Sequence, residues 1–133
     1  MNTKDNLPEI RRTINLNAPI EKVWKAVSTS EGLAAWWMPN TFELTLGKEF
    51  VLHAGPYGDS PCTVTELEPP HCLGFDWDKG WHLMFELEEL DGKQTEFTLI
   101  HSGWNAEQGT VRETMNGGWE SLIKVKLPSY IEG

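Results

Sequence analysis

The sequence predicts an α+β domain: a curved antiparallel sheet of about six to seven short strands around one long C-terminal helix, with two short helices near the N-terminus. Two observations carry this. Between residues 10 and 101, short runs alternate apolar with polar residues and are separated by Gly, Asp and Pro turns. From Thr110 to about Leu127 the spacing changes to three-and-four, with Val111, Met115, Gly118, Leu122 and Val125 in a stripe that Trp119 and Ile123 widen. A helix of this kind is stable only where something covers its stripe, and the strands are what the chain offers.

Residues 1–8 are expected to be a loose, polar lead-in, and residues 9–133 a single domain. Ile10 to Asn17 alternates, apart from Arg12, and reads as the first strand. Asn17-Ala18-Pro19 starts a helix through Ile20, Val23, Trp24 and Val27, with proline in the first turn. Ser28, Thr29 and Glu31 start a second through Leu33, Ala34, Trp36 and Trp37, ended by Met38-Pro39. Strands follow near 41–46, 48–54, 61–68, 71–77, 81–89 and 94–101. Val64 and Leu67 differ in parity, so a bulge or an edge is expected within 61–68.

Face matching selects the turns. Three-residue loops closed by a left-handed glycine, Asp78-Lys79-Gly80 and Leu90-Asp91-Gly92, keep apolar opposite apolar. They predict three rows facing the helix: Leu73–Phe85–Phe97, Phe75–Leu83–Leu99 and Trp77–Trp81–His101. Thr110 and Glu113 have capping-box spacing. Gly117-Gly118 reads as a place where the helix lies close to the sheet, with a hinge as the second reading, and Pro128 as the residue that ends or kinks it, leaving Tyr130 and Ile131 as a short clasp.

A net charge of −9 with no Lys/Arg run argues against nucleic acid as a partner. No apolar run approaches membrane-spanning length and no leader-like segment opens the sequence, so a cytoplasmic location is expected. In that setting Cys62 and Cys72 read as reduced thiols, with Cys62 opposite a residue near Trp77. His53, His71 and His82 do not assemble a metal site by spacing, and no cofactor is expected. Glu86 and Glu88 have outer-face parity, and Asp76 points away from Phe75 and Trp77. No nucleophile motif or phosphate loop is present, so an enzyme is not expected.

Seven tryptophans are many for 133 residues, and each large aromatic buries roughly 150–250 Å². On the inner face they either fill the core or border a cavity. The candidate lining residues are Trp37, Phe50, Leu52, Phe75, Trp77, Trp81, Phe85, His101, Met115 and Trp119. His101 has two readings: a polar anchor in an apolar pocket, or a buried histidine bonded to nearby backbone or to the loop of Trp104.

Pro19-Ile20-Glu21-Lys22-Val23-Trp24, Trp36-Trp37, Leu73-Gly74-Phe75-Asp76-Trp77, Thr95-x-Phe97-x-Leu99-x-His101-x-Gly103 and Gly118-Trp119 resemble the bacterial homologues of the activator of heat-shock protein 90 ATPase, over residues 9–127. The resemblance implies the START-like (SRPBCC, pollen-allergen-like) superfamily and its helix-grip fold. It implies a lipid, sterol, flavonoid or polyketide as ligand, or contact with the chaperone in a stress response. A cyclase- or hydrolase-type activity through His101 is the weakest implication. The eukaryotic activators carry a further N-terminal domain, which this sequence is expected to lack. A monomer or weak dimer is expected.

Overall fold

The computed structural model describes residues 7–53, 55, 58–77 and 80–132. Six strands, β1 (Ile10–Leu16), β2 (Glu49–His53), β3 (Asp59–Glu68), β4 (Cys72–Trp77), β5 (Trp81–Asp91) and β6 (Gln94–Ser102), form one antiparallel sheet in the order β1-β6-β5-β4-β3-β2. Two short helices, α1 (Ile20–Val27) and α2 (Ser30–Trp36), follow β1. The C-terminal helix comprises α3 (Gly109–Ser121), a π-helical turn (Leu122–Lys126) and α4 (Leu127–Glu132). This is the α+β helix-grip architecture that the sequence predicts.

The core lies between the inner face of the sheet and the helices. Pro19 precedes α1 and needs no amide partner there. Thr29 caps α2 by accepting the Gly32 N–H at 3.0 Å. Trp36 is fully buried and donates its indole N–H to the Ala26 carbonyl of α1 at 2.9 Å, which locks the two short helices together. Thr95, also buried, donates to the Ala18 carbonyl at 2.8 Å and fixes α1 to the sheet.

Several expectations on register hold. The bulge falls between Val64 and Glu66. Cys62 lies opposite Trp77 and Cys72 opposite Glu68, so the cysteines stand at opposite ends of the β3–β4 pairing. Leu73 meets Phe85, Phe75 meets Leu83 and Trp77 meets Trp81. Gly80 adopts a left-handed φ of +82°, while Asp78 and Lys79 lie outside the described residues.

The β5–β6 register differs from expectation by one pair of residues on each face. His101 pairs with Leu83, Leu99 with Phe85 and Phe97 with Leu87. The strands run on to Asp91 and Gln94, a two-residue Gly92-Lys93 turn joins them, and the extra residue is absorbed between Glu89 and Asp91. The Asp91 carboxylate accepts the Lys93 amide at 2.8 Å, so an aspartate replaces the expected left-handed glycine as the turn device. Face parity survives because the slip is even. No strand forms over 41–46. Leu44 and Leu46 are exposed, and only Asn40 bridges to Leu52, beside a Thr41 amide that donates to the Val51 carbonyl.

The terminal helix is rotated from its predicted face. Trp119, Ile123, Leu127 and Ile131 are buried, whereas Val111 and Val125 are 45% and 58% exposed. The buried set repeats every four residues, too slow for an α-helix of 3.6. The π turn resolves this: the Leu127 amide donates to the Leu122 carbonyl, five residues back, and the widened turn keeps the four-residue row on one face. It also explains why Pro128 does not end the helix. The ladder has already slipped where the missing N–H falls.

The helix start also differs. Asn105 and Gln108 form the capping box: the Asn105 amide donates to the Gln108 side chain at 2.9 Å, and the Asn105 side chain accepts the Glu107 amide. Thr110 is therefore already inside the helix. Arg12, the odd residue of β1, points toward α3 and donates to the Asn116 side chain at 2.7 Å, with Glu120 at 3.1 Å.

Gly117 and Gly118 are exposed, and a Cβ on either would meet nothing within 4 Å, so close packing does not account for them. Gly103 is different: its φ is +93° and a Cβ would lie 2.4 Å from the Gly80 carbonyl oxygen. Replacing Gly117 or Gly118 with alanine is expected to raise stability by about 1 kcal/mol each in urea unfolding. Gly103→Ala is expected to lower it by roughly 2 kcal/mol.

Candidate functional site

The inner face of β4, β5 and β6 presents aromatic rings to α2 and α3. Trp37, the residue that ends α2, reaches between sheet and helix. Its ring centre lies 5.2 Å from Trp119, 5.5 Å from Trp77, 6.4 Å from Phe75 and 6.5 Å from Phe85. Phe50 joins through Phe75 at 5.1 Å. Trp77 then stacks on His101 (5.1 Å, 21°), and Trp81 and Trp104 close round the same imidazole at 5.2 and 4.4 Å. Eight of the ten predicted lining residues thus belong to one connected aromatic network. The other two are aliphatic neighbours: Leu52, fully buried on β2, and Met115, half-buried on α3. Trp36, Phe42, Phe97 and Trp104 also belong to the network and were not among the candidates; Phe97 stands in a predicted inward row, whereas Trp104 is a loop residue with no face in a periodicity pattern.

His101 is 0% exposed. Trp119 of α3 donates its indole N–H to His101 Nδ1 at 3.0 Å, and Trp104 donates to the His101 carbonyl oxygen at 2.9 Å. An indole nitrogen can only donate, so Nδ1 must hold a lone pair. Burial lowers the imidazole pKa from 6.5 to about 3, so the ring is neutral and its proton sits on Nε2. Nε2 is buried and has no hydrogen-bond partner among the described residues.

Trp37 is half-buried, and its indole N–H makes no hydrogen bond to any described residue. Rings alone hold it, where Trp36, Trp104 and Trp119 are each pinned by a hydrogen bond. The space between sheet and α3 is therefore occupied; Trp77 likewise has no indole partner among the described residues but is buried, so Trp37 is the more exposed of the two rings held by packing alone.

Two open clefts border the sheet. One of about 640 Å³ is bordered by Phe50, Trp77 and Trp81, three of the predicted lining residues, together with Glu49, Val51, Pro61, Thr63, Asp76 and His82, whose parity is that of the face away from the helix. The other, of about 390 Å³, is bordered by His71, Cys72, Glu86, Glu88, Glu96 and Thr98. On this outer face His82 bridges Asp76 at 3.0 Å and Glu66 at 3.1 Å, one carboxylate on each nitrogen. His53 pairs with Asp59 at 2.9 Å, and His71 Nδ1 donates to the Leu87 carbonyl at 3.1 Å. Among the described residues no group of three or more His, Cys, Asp or Glu side chains is placed to hold a metal ion. Burial, then the neighbouring Glu86, Glu66 and Glu68, raise the pKa of the Cys72 thiol. No helix among the described residues is long and apolar enough to cross a membrane.

The family described as Activator of Hsp90 ATPase homolog 1-like protein matches residues 17–132. This chain belongs to that family. No curated protein matches the sequence. Among solved structures, BH1534 from Bacillus halodurans is 43% identical over 96% of this chain and 99% of its own, with a TM-score of 0.85. An Aha1 dimer from Colwellia psychrerythraea is 22% identical over 95% and 97% (TM-score 0.81). An HSP90 activator from Plasmodium falciparum is 18% identical over 88% and 91% (TM-score 0.70). These last two share the fold of this Activator of Hsp90 ATPase homolog 1-like chain.

The neutral state of His101 has a pH signature. Its pKa is depressed on folding, so the unfolded chain binds more protons between pH 6.5 and about 3. Its contribution to stability is full above pH 6.5 and falls by up to ~1.4 kcal/mol per pH unit as the pH is lowered through that window. Urea unfolding of the wild type and His101→Gln from pH 4 to 7 should show this slope in the first and its loss in the second.

Proposed function

We propose that this protein is a non-catalytic receptor for a small planar, apolar molecule, taken up between the sheet and α3 in place of the Trp37 side chain. One observation carries the reading. Trp37 is the ring at the centre of the aromatic network, yet it is half-buried and its indole makes no hydrogen bond to any described residue, so the side chain can leave at the cost of its packing contacts. Aromatic pairs contribute about 0.5–1.5 kcal/mol each beyond area, and an incoming flat ring restores contacts of the same kind. Trp77, Trp119, Phe75 and Phe85 then form the walls. The absence of an ionisable partner for His101 among its described ring and hydrogen-bond neighbours supports binding over turnover, since a general base works by passing a proton within hydrogen-bond reach.

The family description supports a second reading, contact with the heat-shock protein 90 chaperone through the surface. It involves no interior site. An unchanged chaperone ATPase rate with this protein added would dismiss it.

Titration with naphthalene, followed by tryptophan emission, tests the first reading. A saturable change is expected. Trp37→Ala, which vacates the indole volume in advance, should bind at least about tenfold tighter because displacement no longer opposes binding. Absence of saturable binding by both proteins would overturn the proposal.

A further inference from the structure

The indole of Trp37 makes no hydrogen bond to any described residue, so no polar contact of its own turns the ring inward. Its aim is set by the backbone that carries it, and that backbone is gripped on both sides. On the helix side, the Trp37 and Met38 amides both donate to the Leu33 carbonyl, at 2.8 and 3.0 Å. Beyond the helix, Pro39 restricts its own φ and disfavours the helical region for Met38. The Met38 carbonyl there accepts the side-chain amide of Asn40 at 2.9 Å.

Asn40 commits its whole amide to this corner. Besides the Met38 carbonyl, Nδ2 donates to the carbonyl of Ser30, the first residue of α2, at 3.2 Å, and Oδ1 accepts the Phe42 amide at 3.0 Å. Ser30 Oγ returns a bond to the Asn40 carbonyl at 3.0 Å. The Asn40 backbone bridges to Leu52 of β2. Its neighbours are tied to the same edge: the His53 amide donates to the Pro39 carbonyl and the Thr41 amide to the Val51 carbonyl, each at 2.9 Å. One side chain thus joins the start of α2, and the turn just past its end, to a segment anchored on the sheet. Through the Met38 carbonyl it also fixes the direction in which the Trp37 side chain leaves the backbone.

Building on the receptor reading, we infer that Asn40 is the positioning residue of a gate formed by Trp37: its amide holds the ring between sheet and α3, and so sets how readily a ligand displaces it. Asn40 acts through the backbone and touches no ligand. Without its two donated bonds, residues 38–40 turn more freely and the inward position of the ring loses part of its preference. A ligand then has less to displace.

Protein labelled with 5-fluorotryptophan tests this, with the Trp37 fluorine resonance assigned by its loss in Trp37→Phe. Asn40→Asp keeps an acceptor for the Phe42 amide and loses both donors. Ser30→Ala removes a hydrogen bond of the same corner and leaves the Met38 carbonyl held. The solvent isotope shift of the Trp37 resonance should rise at least about twofold in Asn40→Asp and stay at its wild-type value in Ser30→Ala. Naphthalene should bind Asn40→Asp about fivefold tighter than wild type, the worth of one hydrogen bond. In a Trp37→Ala background, with no ring to aim, the same substitution should change affinity by less than about twofold. Should Asn40→Asp fail to fold, Asn40→Ser, which lacks the amide NH2 and adds no charge, takes its place. An unmoved resonance, an equal effect from Ser30→Ala, or an undiminished effect in the Trp37→Ala background overturns the inference and leaves the receptor standing. A moved resonance with naphthalene bound by no form overturns the receptor reading and leaves Asn40 as the residue that aims the ring.

Discussion

The hydrogen bond from the Trp119 indole to His101 Nδ1 is the constraint on which the inside of this protein depends. It joins α3 to the sheet at a fully buried point, and it decides the tautomer of the histidine. Four tryptophan rings surround that imidazole and remove it from water, which keeps it neutral, and a neutral imidazole is what Trp119 requires. The arrangement is self-consistent: burial sets the charge, charge sets the acceptor, and the acceptor holds the helix whose tryptophan helps to bury it. The Arg12 contacts to Asn116 and Glu120 form a second tie to α3, at the partly exposed margin, where screening limits their worth.

Much of the architecture was legible in the sequence because it rests on periodicity. The β4–β5 pairing followed from matching apolar faces, the bulge after Val64 from the broken alternation of Val64 and Leu67, and the placement of Cys62 near Trp77 from counting along the hairpin. The β5–β6 register was legible in parity only. An even slip preserves every face, so alternation cannot distinguish Leu83–His101 from Trp81–His101, and the aspartate-supported turn decided it. The π turn was invisible for a related reason: an α-period template scores Val111 and Val125 as inward, while the buried residues keep a spacing of four.

The candidate site was legible as a set of rings, and its chemistry was not. Inward parity picked out Phe75, Trp77, Trp81, Phe85 and His101, and the structure gathers them. Which residue would bond to His101 required the rotation of the terminal helix, which the pattern set by the wrong residues. The structural reading of His101 looked to nearby backbone or the loop of Trp104, and Trp104 does bond to the His101 carbonyl, though not to its ring. Its actual partner lies 18 positions away, on another element, and a tryptophan donor there carries no sequence signal beyond being a tryptophan.

The π-helical turn constrains how this chain can change length. Deleting one residue between Leu122 and Lys126 would restore ordinary helical bonding, a local gain. It would also swing everything beyond by about 100°, carrying Leu127 and Ile131 out of the interior and replacing them with neighbours suited to water. Insertions and deletions here are thus penalised through a distant effect, and gaps between related sequences should fall outside this segment.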